Sequence, residues 1–232
     1  MNLYFITLFP DIFTTNLSMS IIGRAQDNAL FSFKCYNPRN FSPDKHRNVD
    51  DHPYGGGKGM VLRADVLELT IMAAFADAKL TLSTYDRQKI KVIATVAGGK
   101  SYSQKVAEEY ASLEHLFIVC GHYEGIDQRF IEYYCDDEIS IGPFVLTGGE
   151  LPAVVIADSL LRLLPGVLGS DESSKEESYS ILDQGEFLVE YPHFTRPAVF
   201  NSISVPQVLT SGNHADIARW RLEESRTRTK KR

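Results

Sequence analysis

Two stretches of this chain carry residues of the types and spacing needed to hold a small molecule. Residues 120–129 read C-G-H-Y-E-G-I-D-Q-R, and residues 139–152 read I-S-I-G-P-F-V-L-T-G-G-E-L-P. Each follows an apolar run, Leu116 to Cys120 and Glu138 to Ile141, that ends at a glycine and leads through a second glycine turn to a helix start. This pattern predicts two strands of one sheet with their C-terminal loops side by side. In an open α/β sheet ligands bind beyond the carboxyl ends of the strands, where glycine lets backbone N–H and C=O groups come close. Any one of Gly121, Gly125, Gly142, Gly148 and Gly149 alone would be turn punctuation. Gathered with Glu124, Asp127, Arg129 and Glu150, they predict a pocket.

A third stretch competes for a nucleotide. Ala94 to Ser101 reads A-T-V-A-G-G-K-S, which departs from a P-loop in its first residue and sits between a predicted strand and helix. It would put Lys100 on phosphate charge and Ser101 on magnesium. The next strand, however, ends Val119-Cys120-Gly121, where an NTPase needs an aspartate. ATP turnover would decide for this reading. Nucleophilic hydrolysis has less support, since there is no G-x-S-x-G and Cys35, Cys120 and Cys135 have core-like surroundings. No cysteine or histidine spacing predicts a zinc site.

The elements that must position these residues follow from periodicity. Leu3–Leu8, Phe31–Tyr36 and Lys89–Thr95 read as strands. A helix is predicted from Pro10 and Asp11 toward Ile22, another over Arg63–Ala78 and a third over Ser103–Leu113. Strand and helix alternate through Leu164, which predicts an α/β layer with a mainly parallel sheet. The polar loop Asp44–Met60 holds four of the sixteen glycines within five positions and reads as backbone made to approach a partner. Residues 170–178, S-D-E-S-S-K-E-E-S, suit no core and predict a linker or surface loop. Beyond them Asn213 is a candidate N-cap for a helix from His214, with Ile217 and Trp220 on one side and Arg219, Arg221 and Arg226 around them.

At 232 residues and a formal charge of −6, the chain has room for one good-sized domain and a small appendage, and its surface as a whole is not basic. Seven Lys or Arg between Arg219 and Arg232 make a local cationic patch. Three cysteines in no metal pattern predict reduced thiols in the cytoplasm. The opening M-N-L-Y-F-I-T-L-F-P-D lacks a basic lead-in and reads as a strand, not a signal peptide. Leu151 to Leu168, the longest apolar segment, is too short for a bilayer and carries Asp158 and Arg162, so no membrane partner is expected.

Taken together, D-D-H-P-Y-G-G-G-K-G-M (50–60), the two glycine stretches above, L-L-P-G-V-L-G (163–169), Y-P-H-F-T-R-P (191–197) and V-L-T-S-G-N-H (208–214) resemble the bacterial tRNA (guanine-N1)-methyltransferases. The resemblance runs in order over nearly the whole chain. It implies a trefoil-knotted α/β fold of the SPOUT class and a homodimer with a composite active site. It also implies S-adenosylmethionine as cofactor, with magnesium as a further candidate, and guanosine 37 in the tRNA anticodon stem-loop as substrate. The implied division is a methyltransferase domain over 1–169, a linker over 170–190 and a helical tRNA-binding domain over 191–232.

The family's cofactor contacts fall here on Ala94, Thr95, Val96 and Ala97, then on Gly121, Tyr123, Glu124 and Gly125. A third group is Ile141, Gly142, Pro143, Phe144, Val145 and Leu146, followed by Gly148, Gly149 and Pro152. Arg162 and Glu177 match the catalytic pair, Glu177 standing where the family usually has aspartate. His122 stands at a usual arginine, Pro143 at a usual acid and Phe144 at a usual tyrosine. Substrate contacts are implied for Asp50, Tyr54, Gly59, His193, Arg196, Asn213 and His214. Moving a methyl group to guanine N1 needs a base for the N1 proton, a cation for charge growing on O6, and close alignment. A carboxylate, an arginine and two glycine loops answer those three needs.

Overall fold

The structure, a computed structural model, describes residues 1–168 and 177–231, in two compact units that divide at Leu168/Gly169. The first contains, in chain order, β1 (Asn2–Ile6), α1 (Asp11–Leu17), α2 (Ser20–Asp27), β2 (Ser32–Tyr36), β3 (Asp50–Asp51), β4 (Val61–Leu62) and α3 (Ala64–Asp77). It continues with β5 (Ile90–Ser101), α4 (Gln104–Ala111), β6 (His115–Cys120), α5 (Gln128–Tyr134), β7 (Asp137–Ser140) and α6 (Glu150–Leu161). Five strands form a wholly parallel sheet in the order β2-β1-β6-β5-β7.

Such a sheet needs helices on both faces, which is why its central strands are apolar runs without alternation. Leu3, Phe5, Ile93 and Ile118 pack with Phe13, Tyr110, Ile156 and Leu160 on one face. Tyr4, Ile6, Val92, Phe117 and Val119 pack with Val66, Ile71, Phe75 and Phe130 on the other. Stacked rings pin each layer, with Phe5 on Phe13 at 3.9 Å and Phe75 on Phe117 at 4.1 Å between centroids. Truncating a buried phenylalanine to alanine typically costs about 3–5 kcal/mol, so these pairs fix how the helices sit.

Two predicted elements are drawn differently. The first helix breaks into α1 and α2 because Ser20 adopts a left-handed φ of 56°. There Gly23 lies so close to the preceding turn that a Cβ would stand 2.2 Å from the Ser18 carbonyl oxygen. The segment expected as strand Lys89–Thr95 plus glycine turn is one strand, β5, with a bulge. Its pairing with β7 jumps from Thr95↔Ile139 to Lys100↔Ile139, so residues 96–99 bow out between two pairings of the same partner. This overturns the P-loop reading. Gly99 is there because a Cβ would meet the Glu138 carbonyl carbon at 2.6 Å, and Lys100 is bound to Asp137 Oδ1 at 3.0 Å. Burial opposes the charge of Asp137, but hydrogen bonds from Lys91 and Lys100 outweigh it and hold the carboxyl below the usual range.

The second unit contains the hairpin β8 (Ile181–Asp183) with β9 (Glu186–Leu188), the hairpin β10 (Val199–Phe200) with β11 (Ile203–Ser204), and helices α7 (Gln207–Thr210) and α8 (His214–Lys230). Both hairpins lacked a sequence signal, and the first lies within the span read as a linker. Asn213 does cap α8, accepting from the Ala215 and Asp216 N–H groups. Contacts within the unit tie α8 down: Arg226 forks onto Asp183 at 2.7 and 3.1 Å, Thr229 Oγ1 accepts from the Val189 N–H at 2.9 Å, the Arg221 guanidinium lies 4.6 Å over the Tyr191 ring, and Trp220 meets Phe194. Among the described residues no helix is long and apolar enough to cross a membrane.

Candidate cofactor pocket and its surroundings

β6 and β7 are not neighbours, since β5 lies between them, yet the loops at their carboxyl ends do meet. The chain leaving β7 turns back over β5, and His122 pairs with Gly148 in an antiparallel bridge. The Gly149 N–H donates to the Gly121 carbonyl at 2.6 Å. The buried Thr95 hydroxyl lies 3.1 Å from the Gly149 carbonyl and 3.3 Å from that of Val119. The approach demands glycine: a Cβ on residue 149 would stand 2.1 Å from Thr95 Oγ1 and 2.6 Å from the Gly121 nitrogen.

A cavity of about 390 Å³ opens where the β5 bulge, the β6 loop and the β7 loop converge. That volume falls within the range of small-molecule sites. Thr95, Val96 and Ala97 line it from the bulge, and Gly121, Tyr123, Glu124 and Gly125 from the β6 loop. Ile141, Gly142, Phe144, Val145, Leu146, Gly148, Gly149 and Pro152 line it from the β7 side. Of the expected cofactor residues, Ala94 and Pro143 are outside the lining, and Ala94 is fully buried in the sheet core. Gly98, Ile126, Gln128, Glu138 and Thr147 line the cavity without having been singled out. The rule that ligands sit beyond strand ends reaches Gly98 and Glu138 once β5 and β7 are known to be adjacent. Main-chain groups, an apolar rim and two carboxylates suit an uncharged ring system carrying a cationic or polar tail. The buried Cys120 thiol, pushed well above its ordinary range by burial and then by Glu150, supplies no nucleophile.

The glycine loop before Met60 packs against this pocket. A Cβ on Gly59 would meet Glu124 Oε1 at 2.3 Å, and the Glu124 N–H donates to the Met60 carbonyl at 2.9 Å. Asp50 lies in β3, and Tyr54 stands almost wholly in solvent. Tyr54 borders an open groove with His52, Arg63, Arg129 and Tyr133, which shares Ile126 and Gln128 with the cavity. Arg162 caps the carboxyl end of α6, whereas the cavity lies at its amino end. Twelve residues of helix separate these ends by about 18 Å.

The other expected residues belong to the second unit. Glu177 opens a turn in which its carbonyl accepts from the Ser180 N–H at 3.1 Å and the Ser180 hydroxyl at 2.7 Å, just before β8. His193 Nε2 is 2.9 Å from Glu190 Oε1, Arg196 is exposed, and Asn213 and His214 begin α8. Residues 169–176, including most of the acidic segment and Glu176, lie outside the described residues, as does Arg232.

Comparison with known proteins adds a second line of argument. The family model described as tRNA (Guanine-1)-methyltransferase TrmD matches residues 1–232. A Bacillus licheniformis protein named tRNA (guanine-N(1)-)-methyltransferase is 49% identical over 229 residues, covering 99% of this chain and 89% of its own. Proteins of the same name from Ruminiclostridium cellulolyticum and Dehalococcoides mccartyi are each 48% identical, over 225 and 227 residues. They cover 97% and 98% of this chain and 91% and 86% of their own lengths.

Proposed function

This chain belongs to the tRNA (guanine-1)-methyltransferase family, and from that premise we propose how its residues carry out the reaction. The enzyme transfers a methyl group from S-adenosylmethionine to N1 of guanosine 37 in tRNA. The observation that carries the assignment to this site is the meeting of three glycine-bearing loops around one cavity, held by Gly149, Gly121 and Thr95. The bulge, β6-loop and β7-loop residues hold the cofactor, which supplies a methyl group activated on a sulfonium. Glu177 takes the N1 proton, and Arg162 stabilises the charge that grows on O6. The loops exclude water and align N1 with the incoming carbon. Among the described residues no group of three His, Cys, Asp or Glu side chains is placed to hold a metal, and no step here is assigned to magnesium.

The working unit is a homodimer with composite sites. Leu151, Val155, Asp158 and Arg162 follow one another at intervals of four, three and four residues, and so form one stripe along α6. Leu151 and Val155 are exposed although apolar. Two-fold antiparallel packing of these stripes would bury the apolar end and carry Arg162 of the partner subunit to the cavity end of the helix. The knotted path implied by the family is in keeping with the β7 loop crossing β5 to reach β6. The assignment of the cofactor to the first unit and of tRNA to the second is part of the same proposal, as is action in the cytoplasm.

Two measurements test the assignment. Labelled methyl groups should enter unmodified tRNA with guanosine 37 intact and not when that base is replaced. Calorimetry should show heat with S-adenosylmethionine and none with ATP; the reverse result would restore a nucleotide-hydrolysing reading. Electrostatic steering of tRNA falls to the end of α8. Arg226 of the basic run is taken up by Asp183, and Arg228, Lys230 and Lys231 stand at the helix end. Replacing these three with glutamine should weaken tRNA binding and flatten its salt dependence by about one unit of slope per lost phosphate contact, leaving cofactor affinity alone. An unchanged salt slope would remove the tail from the footprint.

A further inference from the structure

None of the chain's 30 Asp and Glu residues falls between Tyr191 and Ala215, and the only Lys or Arg in that stretch is Arg196. Within it, every residue from His193 to Ser204 is exposed. Four of these are large and apolar: Phe194, Val199, Phe200 and Ile203 stand 45%, 57%, 67% and 71% in solvent. Single apolar side chains on a surface need no explanation, but a run of them marks a place where something binds. The hairpin of β10 and β11 gathers two of the four. Phe200 and Ile203 are directly opposed across its ladder and so share a face, while Val199 opposes Ser204 on the other. Between them Asn201 and Ser202 both hold a left-handed φ, 47° and 65°, which suits the twist of a two-residue hairpin turn. The Val205 N–H closes the base of the hairpin on the Ala198 carbonyl at 2.9 Å. The ring and the isoleucine are thus held side by side before anything binds, and little order is left to impose. Phe194 differs, since it leans on Trp220.

We propose that the Phe200 and Ile203 face of this hairpin is a platform on which an unpaired base of the bound tRNA stacks. The inference rests on the role in holding tRNA proposed above for the second unit, and it names the element that takes a base. A nucleobase offers a π-face to any aromatic ring, and the isoleucine beside Phe200 widens the apolar seat. Bases within a duplex keep their faces covered, so the platform selects nucleotides of a loop. The phosphates on either side of a stacked base need a surface free of carboxylates, which the stretch from Tyr191 to Ala215 provides. A protein partner would be satisfied by the apolar pair alone and gives no reason for acids to be missing from the whole stretch. Arg196, four residues before Phe200 on the same exposed run, adds a guanidinium for phosphate.

Binding of unmodified tRNA to the full chain, measured across a salt series, compares wild type with Phe200→Ala, Phe200→Leu and Phe200→Trp. Phe200→Ala should weaken binding about tenfold, within the usual worth of one stacked base, and leave the salt slope unchanged because stacking releases no counterion. Phe200→Leu should be nearly as weak, since it keeps apolar bulk and loses the ring. Phe200→Trp should bind at least as tightly as wild type, and tRNA should quench its added indole emission, read against wild type with Trp220 as its one tryptophan. Sedimentation and S-adenosylmethionine affinity should be the same in all four forms, because the side chain is exposed and outside the cavity. Wild-type tRNA affinity in Phe200→Ala or in Phe200→Leu overturns the proposal while leaving tRNA binding by the second unit standing. Dissociation of subunits in Phe200→Ala also overturns it, and would give this face to a second copy of the chain. If wild type itself binds no tRNA, the assignment of tRNA to the second unit falls as well.

Discussion

Glu177→Ala is expected to slow single-turnover methylation by about 10²–10⁴-fold, the usual contribution of a positioned base, with cofactor affinity nearly unchanged. Glu177 sits at the start of a turn whose backbone is held by Ser180, and the next residue, Ser178, binds the Glu190 N–H at 3.0 Å. Its backbone is thus anchored to the β8–β9 hairpin. Glutamate and aspartate present the same carboxylate and differ only by a methylene of reach. Glu177→Asp should consequently keep substantial activity. If Glu177→Ala stays within a few-fold of wild type while Glu176→Ala is inactive, the base is the neighbouring residue.

Gly149→Ala is expected to weaken S-adenosylmethionine binding about 10- to 100-fold. The added methyl would stand 2.1 Å from Thr95 Oγ1 and 2.6 Å from the Gly121 nitrogen, the latter a main-chain atom that cannot swing aside. Overpacking of this kind costs typically about 1–3 kcal/mol, and here relief requires separating the two loops that make the pocket. Equilibrium dialysis with labelled cofactor would read the loss; an affinity equal to wild type would detach these loops from the binding site. Mixing an inactive Gly149→Arg variant with Glu177→Ala should restore activity to about a quarter of wild type after subunit exchange, because half the dimers are mixed and each has one complete site. No recovery would place the pocket and Glu177 of a single chain together.

The parallel sheet was legible because its central strands are largely apolar runs that alternate with helices, and burial on both faces permits that pattern. The β6 and β7 loops were legible for a related reason, since clustered glycines mark where backbone approaches backbone. That these loops lie side by side was legible as well, whereas the insertion of β5 between β6 and β7 was not, because nothing local in Glu138–Ile141 announces it. Glycine also misled. In A-G-G-K-S the spacing imitates a phosphate loop, but Gly99 serves a bulge pressed against Glu138, a constraint that arises from a residue 39 positions away. Arg226 shows the same limit. Its place in a basic run suggests RNA, whereas Asp183, on a hairpin with no alternation long enough to detect, has claimed it.

The bond from the Gly149 N–H to the Gly121 carbonyl joins segments that meet only when β5, β6 and β7 are all in register. That single amide can exchange with solvent deuterium only when the pocket comes apart. Its exchange rate is then a direct gauge of how often the site opens in the folded protein. A ligand bound between the loops slows that rate by the same factor by which it shifts the opening equilibrium, so occupancy can be read from one resonance without following catalysis at all.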